Sequence, residues 1–142
     1  MGICNGFQIL IESGLLPGAL INNKNVKFLS QNITLSVAST SSVFTQDLNI
    51  GEKLVMPIAH KQGNYFASDD LVKELNDNDR IAFTYSLEDE GNPNGSIENI
   101  AGILNKNKNV LGMMPHPERA TEDILGSSDG RVIFESLIEN LG

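Results

Sequence analysis

Residues 1–10 read MGICNGFQIL, and the fold turns on how this stretch is read. Gly2, Cys4 and Gly6 form a G-x-C-x-G arrangement, and NGFQILIES, residues 5–13, suits a short helix that Gly14 and Pro17 stop. This is the thiol form of a nucleophile elbow, in which a strand turns sharply into a helix and holds the nucleophile in a strained conformation. Glycine is expected at Gly2 and Gly6, because backbone approaches there so closely that a Cβ would collide. A cysteine just ahead of a helix N-terminus also faces the positive end of the dipole, which favours the thiolate. The bland alternative is that a lone cysteine is a small buried apolar residue. With 13 glycines in 142 residues, two at these offsets arise by accident about once in a hundred.

The length suits one domain, and 40% apolar with 20% charged residues is a globular composition. The net charge is −8 and the ten Lys and Arg are dispersed, which argues against nucleic acid as a partner. No apolar run approaches the length of a membrane span, and the first residues lack the basic start and cleavage site of a signal peptide. The expectation is a cytoplasmic protein without a membrane partner. One cysteine makes no internal disulfide and no thiolate metal site, so no metal site is expected. Two Asn-x-Ser/Thr sequons, at Asn32 and Asn94, read as coincidence.

Further along, Gly18 to Asn25 reads as a turn. VKFLS and NITLSVAS read as strands, with Ile33, Leu35 and Val37 on one face. KLVMPIA is another strand, and Ser68 is placed to cap a helix over Asp69 to Leu75. RIAFTYSL alternates, with Ile81, Phe83, Tyr85 and Leu87 on one face. After the loop EDEGNPNGS, IAGILN and NVLGMMP predict a hairpin around Lys106 to Asn109. Asp129 is placed to cap a last helix with the apolar stripe Val132, Ile133, Leu137, Ile138 and Leu141. The fold class is α/β, with more strand than a purely doubly wound unit would show.

A thiol nucleophile needs a general base, and the base needs an orienting partner. His116 stands in MMPHPER directly after an apolar strand, with Glu118 two residues on. Pro115 and Pro117 favour extended neighbours, and in an extended segment residues i and i+2 share a side. Glu118 is then within reach of the imidazole and can fix its tautomer. Taken singly, an ordinary strand-end histidine and a solvated acid are the simpler readings. With the elbow they make a Cys4, His116, Glu118 constellation.

GICNGFQIL, PIAHKQGNY, NPNGS and GMMPHPER, in this order along the whole chain, resemble the glutaminase subunits of phosphoribosylformylglycinamidine synthase, which are class I (triad-type) glutamine amidotransferases. The resemblance implies a flavodoxin-like α/β domain with a mixed sheet, in which Cys4 attacks the side-chain amide of glutamine. His116 would shuttle protons and Glu118 would hold it. A γ-glutamyl thioester forms, ammonia leaves, and water releases glutamate. Gln8 matches a position that contacts substrate glutamine, and His60, Gly63, Asn64 and Tyr65 belong to the loop that recognises its amino-acid end, largely through backbone groups. NPNGS would lie at the synthetase interface; as a plain turn it needs no function. The implied partners are a large synthetase subunit, which uses ATP and Mg to make the formylglycinamidine ribonucleotide of purine biosynthesis, and a small assembly subunit. No cofactor is implied in this chain, which has no Walker-type loop.

The family pattern also has a segment ahead of the cysteine strand, including a glycine-rich loop that donates to the oxyanion. The expectation is therefore a single domain over 1–142 that is N-terminally truncated, the C-terminal portion of an amidotransferase domain. Asn5 supplies one oxyanion donor, and loss of a second costs about 3 kcal/mol of transition-state stabilisation. The alternative is a non-catalytic fragment that retains only partner-binding surface.

Overall fold

The computed structural model describes residues 1–24, 27, 29–87 and 92–140. In chain order the elements are β1 (Gly2–Ile3), α1 (Asn5–Glu12), β2 (Ala19–Ile21), β3 (Leu29–Val37), β4 (Lys53–His60), β5 (Asn64–Phe66), α2 (Asp69–Asp77), β6 (Ile81–Tyr85), β7 (Ile100–Leu104), β8 (Leu111–Met113) and α3 (Arg131–Asn140). Short 3₁₀ turns lie at Ile97–Asn99, Pro117–Arg119 and Asp123–Leu125. One sheet of six strands runs β1-β8-β7-β6-β3-β4, and β2 pairs with β5 in a separate ribbon. The β1–β8 pair is parallel and the other pairs in the large sheet are antiparallel. This is an α/β fold on a mixed sheet.

Period-two alternation explains the strands. Ile33, Leu35 and Val37 of β3 and Leu54, Met56 and Ile58 of β4 are buried in one apolar cluster, with Phe83 and Tyr85 of β6 and Leu111 and Met113 of β8. On the other side Ile100 and Ile103 of β7 join Phe7 of α1, Val72 and Leu75 of α2, and Tyr65, a spacing of three that departs from strict alternation where the β6–β7 pairing shifts register. Gly112 is the point of closest approach, since a Cβ there would stand 2.4 Å from Phe7 Cδ1 and 2.5 Å from Leu16 Cδ1. A side chain at that position would lift α1 off the sheet.

The helix over α1 forms as expected, and Ser68 Oγ caps α2 by accepting from Leu71 N–H at 3.2 Å. The hairpin turn is fixed by Asn105, whose Oδ1 accepts from the N–H groups of Asn109 and Val110 at 2.9 and 3.0 Å.

Four expectations need correction. The stretch after Gly18 contains β2 instead of being a turn throughout, because three residues suffice to pair with β5 but are too few to show a period. Register irregularities in β6 split its expected face, so Ile81 joins the α-helical side and Phe83 the other, while Leu87 lies beyond the strand and is 72% exposed. In α3, Ile133 is buried and Val132 and Leu137 pack against the core, but Ile138 is 72% exposed. The Asp129 carboxylate turns to β4, accepting from Val55 N–H at 2.7 Å, because that strand's outer edge has N–H groups to satisfy. Val26, Phe28, residues 88–91 and Leu141 lie outside the described residues.

Candidate active site

β1 leads into Cys4, whose backbone N–H continues the parallel pairing by donating to the Met113 carbonyl at 2.8 Å. The chain then reverses into α1 with Cys4 at φ 56° and ψ −109°, a left-handed conformation that costs a non-glycine residue energy. The strain lifts Sγ clear of the helix, where it donates to the Ala59 carbonyl at 3.6 Å. The tight turn explains Gly2, since a Cβ there would lie 2.6 Å from the Gly6 carbonyl oxygen. Gly6 itself departs from expectation: a Cβ on it would meet nothing within 4 Å. The crowding is one-sided, because Gly2 is buried beneath the first turn of α1 while Gly6 sits on it.

Burial pushes the Cys4 thiol up; the Asn5 backbone N–H and the Arg119 guanidinium oppose this, and the Glu118 carboxylate adds to it. The expected thiolate is thus not the resting form, because desolvation of sulfur outweighs the partial charge of the helix end. Attack by this cysteine requires a base.

His116 follows β8 and is buried, and its Nδ1 is hydrogen-bonded to Glu118 Oε1. The local geometry is not the extended one expected. Residues Pro117–Arg119 form a 3₁₀ turn with His116 as the residue before it, and the turn brings the carboxylate back beneath the ring. Gly130 has no room for a side chain there, since a Cβ would stand 2.3 Å from the Pro117 carbonyl oxygen. The remaining ring nitrogen, His116 Nε2, is buried and has no hydrogen-bond partner among the described residues. With Nδ1–H donated to a carboxylate, Nε2 is a free base.

A cavity of about 350 Å³ opens at the elbow, lined by Cys4, Asn5 and Gln8 on one side, by residues 59–62 at the end of β4 on the other, and by Met114. Gln8 is tethered within α1 by donating from Nε2 to Glu12 Oε1 at 3.2 Å. The structure thus brings Cys4, Asn5, Gln8 and His60 to one cavity. Gly63, Asn64 and Tyr65 do not line it. Tyr65 is buried, stacked on Phe7 with ring centroids 5.8 Å apart, and its hydroxyl donates to the Pro17 carbonyl at 2.8 Å. The Gly63 N–H and carbonyl are taken by Asn23 Oδ1 and Ser96 Oγ, and Asn64 pairs with Ile21 in the small ribbon.

Asn23 is the residue that sequence reasoning missed. It is 1% exposed, and both its amide hydrogens go to carbonyls, of Lys27 at 2.8 Å and His60 at 2.9 Å. Its Oδ1 therefore faces Gly63 N–H at 2.9 Å and His60 Nδ1 at 3.2 Å. No local pattern around Asn23 signals this, since its partners lie far along the chain. NPNGS is likewise a structural knot: Asn92 Oδ1 accepts from the N–H groups of Asn94, Gly95 and Ser96 at 3.0–3.2 Å, and Asn94 Nδ2 donates to the Tyr85 hydroxyl at 2.7 Å. Among the described residues no cluster of three or more His, Cys, Asp or Glu is placed to hold a metal ion, and no helix is long and apolar enough to cross a membrane.

Comparison with known proteins shows the family and the fold. Residues 1–131 match the family of CobB/CobQ-like glutamine amidotransferase domains. The chain is 55% identical over 143 residues to the phosphoribosylformylglycinamidine synthase subunit PurQ of Koribacter versatilis, covering 97% of this chain and 62% of that one. It is 52% identical over 146 residues to the subunit of the same name from Chlorobaculum parvum, covering 99% and 58%. It therefore spans about three-fifths of the length of these relatives. Among solved structures, PurLQS from Thermotoga maritima contains a chain that matches all of this one and 61% of its own length, with a TM-score of 0.87 and 44% identity. A Thermoplasma acidophilum protein named for GMP synthase shares the fold at TM-score 0.61 and 18% identity, over 97% of this chain and 54% of that one.

Proposed function

The chain belongs to the CobB/CobQ-like glutamine amidotransferase family, and from that premise we propose that it hydrolyses glutamine to glutamate and ammonia through a thioester on Cys4. The observation that carries this reading is the strained Cys4 at the mouth of a cavity, together with a buried His116 whose Nδ1 is held by Glu118.

His116 Nε2 takes the Sγ proton as sulfur bonds to the amide carbon of glutamine. The carbonyl oxygen gains the charge, and the Asn5 backbone N–H at the start of α1 is the donor nearest to hand. The imidazolium then gives its proton to the departing nitrogen, and ammonia leaves with the C–N bond broken. Water, deprotonated by the same imidazole, attacks the thioester, and glutamate departs with the thiol restored. Glu118 keeps the proton on Nδ1 and offsets the imidazolium charge. Gln8 and the cavity-lining residues 60–62 bind the amino-acid end, with Gly63, Asn64 and Tyr65 shaping the loop behind the cavity.

The names of the relatives extend the reading. In cytoplasmic purine biosynthesis the ammonia would pass to a large synthetase subunit that uses ATP and Mg, within a complex completed by a small assembly subunit. Glutamine-dependent release of glutamate by the full chain, abolished in Cys4→Ala, is the expected result. A chloroketone analogue of glutamine should label Cys4, with free glutamine protecting it. Alkylation by iodoacetamide without labelling by the analogue would overturn the reading.

A further inference from the structure

A second cavity lies at the far end of the sheet from the thiol. α1 carries the chain away from Cys4 towards the 14–18 loop. β8 runs parallel to β1 with Met113 opposite Ile3, so the turn ahead of Leu111 is at the end remote from the elbow. Between that loop and that turn opens a cavity of about 660 Å³, with Leu15, Leu16 and Leu71 on its apolar side and Glu74, Arg80 and Lys106 on its charged side. Its walls are fixed by the fold. The Leu10 carbonyl accepts from the N–H groups of Leu15 and Leu16 at 2.9 and 3.1 Å, and the Pro17 carbonyl accepts from the Tyr65 hydroxyl at 2.8 Å. Asn105 Oδ1 holds the facing turn through Asn109 and Val110. A site with its walls in place has little ordering left to do on binding.

Arg80 is the unusual member of the lining. Only 5% of its side chain is exposed, and a guanidinium does not lose its charge in a protein. Nε donates to the Leu104 carbonyl at 3.0 Å and Nη1 to Glu74 Oε1 at 3.2 Å, which uses two of the five N–H groups a guanidinium carries. Nη2 has no hydrogen-bond partner among the described residues and is not one of their enclosed atoms, so its N–H groups open on the cavity. The Glu74 side chain is 46% exposed, so water shares its carboxylate and the buried cation is incompletely neutralised. Lys106 is exposed and has no ion-pair partner among the described residues. Two cations against one carboxylate leave a surplus of positive charge here, in a chain of net charge −8.

We propose that this cavity binds a small monocarboxylate with an apolar body. The carboxylate takes the open Nη2 edge of Arg80 and the Lys106 ammonium, a charge-assisted pairing for which a guanidinium is shaped. The body lies against Leu71 and against Leu15, which is 55% exposed. A dianion such as phosphate is disfavoured, because the surplus charge is single and Glu74 repels the second. The site is independent of glutamine hydrolysis, since none of its lining residues lines the cavity at Cys4.

Titration of the full chain with hexanoate, followed by backbone amide NMR shifts, reads the site directly. Saturable shifts should be confined to residues 14–18, 71–80 and 104–107, with hexanol and inorganic phosphate each binding more weakly by about threefold or more. Lys106→Ala, on an exposed turn, should weaken hexanoate by about threefold. Glu74→Gln removes the competing charge and should tighten it by about the same factor, a direction that a purely structural Arg80–Glu74 pair does not produce. Leu15→Asn should weaken hexanoate and leave acetate, which has no apolar body to place, unaffected. The inference is overturned by the absence of a saturable response, by shifts centred on the Cys4 cavity, or by equal affinity for hexanoate and hexanol. Phosphate preferred to hexanoate, or a Glu74→Gln chain that binds no tighter than its parent, would overturn it equally.

Discussion

The His116 N–H donates to the Pro57 carbonyl at 2.8 Å, which fastens the segment that follows β8 to the opposite edge of the sheet. In the strand order β8 and β4 are separated by β7, β6 and β3, so this bond exists only because the sheet curls round on itself. The even-numbered residues of β4 turn their apolar side chains into the core, whereas the outer edge is used by Val55, Pro57 and Ala59. Val55 N–H donates to Asp129, its carbonyl accepts from Ser127 Oγ, the Pro57 carbonyl accepts from His116, and the Ala59 carbonyl accepts from Cys4 Sγ. Pro57 has no N–H to leave bare on that edge. The same edge thus holds both His116 and Cys4, the base and the nucleophile of the proposed hydrolysis.

Asp129 anchors the far end of this arrangement. Asp129→Ala leaves the Val55 N–H without its carboxylate, and the folded chain should lose about 2 kcal/mol, the scale of a part-buried hydrogen bond to a charged group. Asp129→Asn, which retains an acceptor, should lose less than half of that. Urea unfolding of the three proteins measures the order, and equal midpoints would show that water replaces the carboxylate.

Gly112→Ala probes the packing of α1 on β8. The added methyl group meets Phe7 and Leu16 at about 2.5 Å or less, and Phe7 is fully buried beneath the helix. Overpacking of this kind costs about 1–3 kcal/mol. Because α1 begins one residue after Cys4, thiol alkylation by iodoacetamide should also accelerate as the elbow loosens. A stability loss with unchanged alkylation would mean that the helix moves as a body with its nucleophile.

How far the sequence foretold these relationships follows the range over which each acts. The elbow, the alternation of Ile33, Leu35 and Val37 and the Ser68 cap depend on neighbours within a few residues, and they are legible from spacing. The Asn23 clamp joins residues 37 apart, and the bond from Asp129 to Val55 spans 74. Nothing local marks either. The reversal at Cys4 has the same origin, because the helix dipole is a local term and the burial that outweighs it is contributed by the rest of the fold.

That reversal is measurable. Since burial raises the Cys4 pKa, the pH at which alkylation reaches half its limiting rate should be higher in the folded chain than in the same chain in urea. The sign for stability follows: the contribution is fully present below the unfolded thiol's pKa and is lost as pH rises through the folded one. A folded profile displaced to lower pH would mean that the helix end and Arg119 prevail over desolvation.

His60 titrates in the opposite sense. Its pKa falls from 6.5 to about 4 on folding, so the unfolded chain binds a proton that the folded chain refuses. Stability from this group is present above pH 6.5 and is lost as pH falls through about 4. The full span corresponds to about 3 kcal/mol, at 1.36 kcal/mol per pKa unit. Denaturant titrations between pH 7 and pH 4 should show a shallower slope in His60→Gln than in the parent chain. Parallel slopes would mean that the buried imidazole accepts its proton in place.

Glu118→Gln tests the hydrolytic reading at its base. Glutamine at this position can turn its NH₂ towards His116 Nδ1, which then accepts instead of donating, and the ring's hydrogen moves to Nε2. The atom that should receive the Cys4 proton is then occupied. In a triad the equivalent exchange of carboxylate for carboxamide lowers kcat by about four decades with the geometry intact. Glu118 is partly exposed, with 42% of its side chain open to solvent, so water competes for the imidazole and the fall should be smaller, about two to three decades. Glu118→Ala, which imposes no tautomer, should retain more activity than Glu118→Gln. If Glu118→Gln were instead the more active of the two, Glu118 would serve to seat the ring and the tautomer would be set elsewhere.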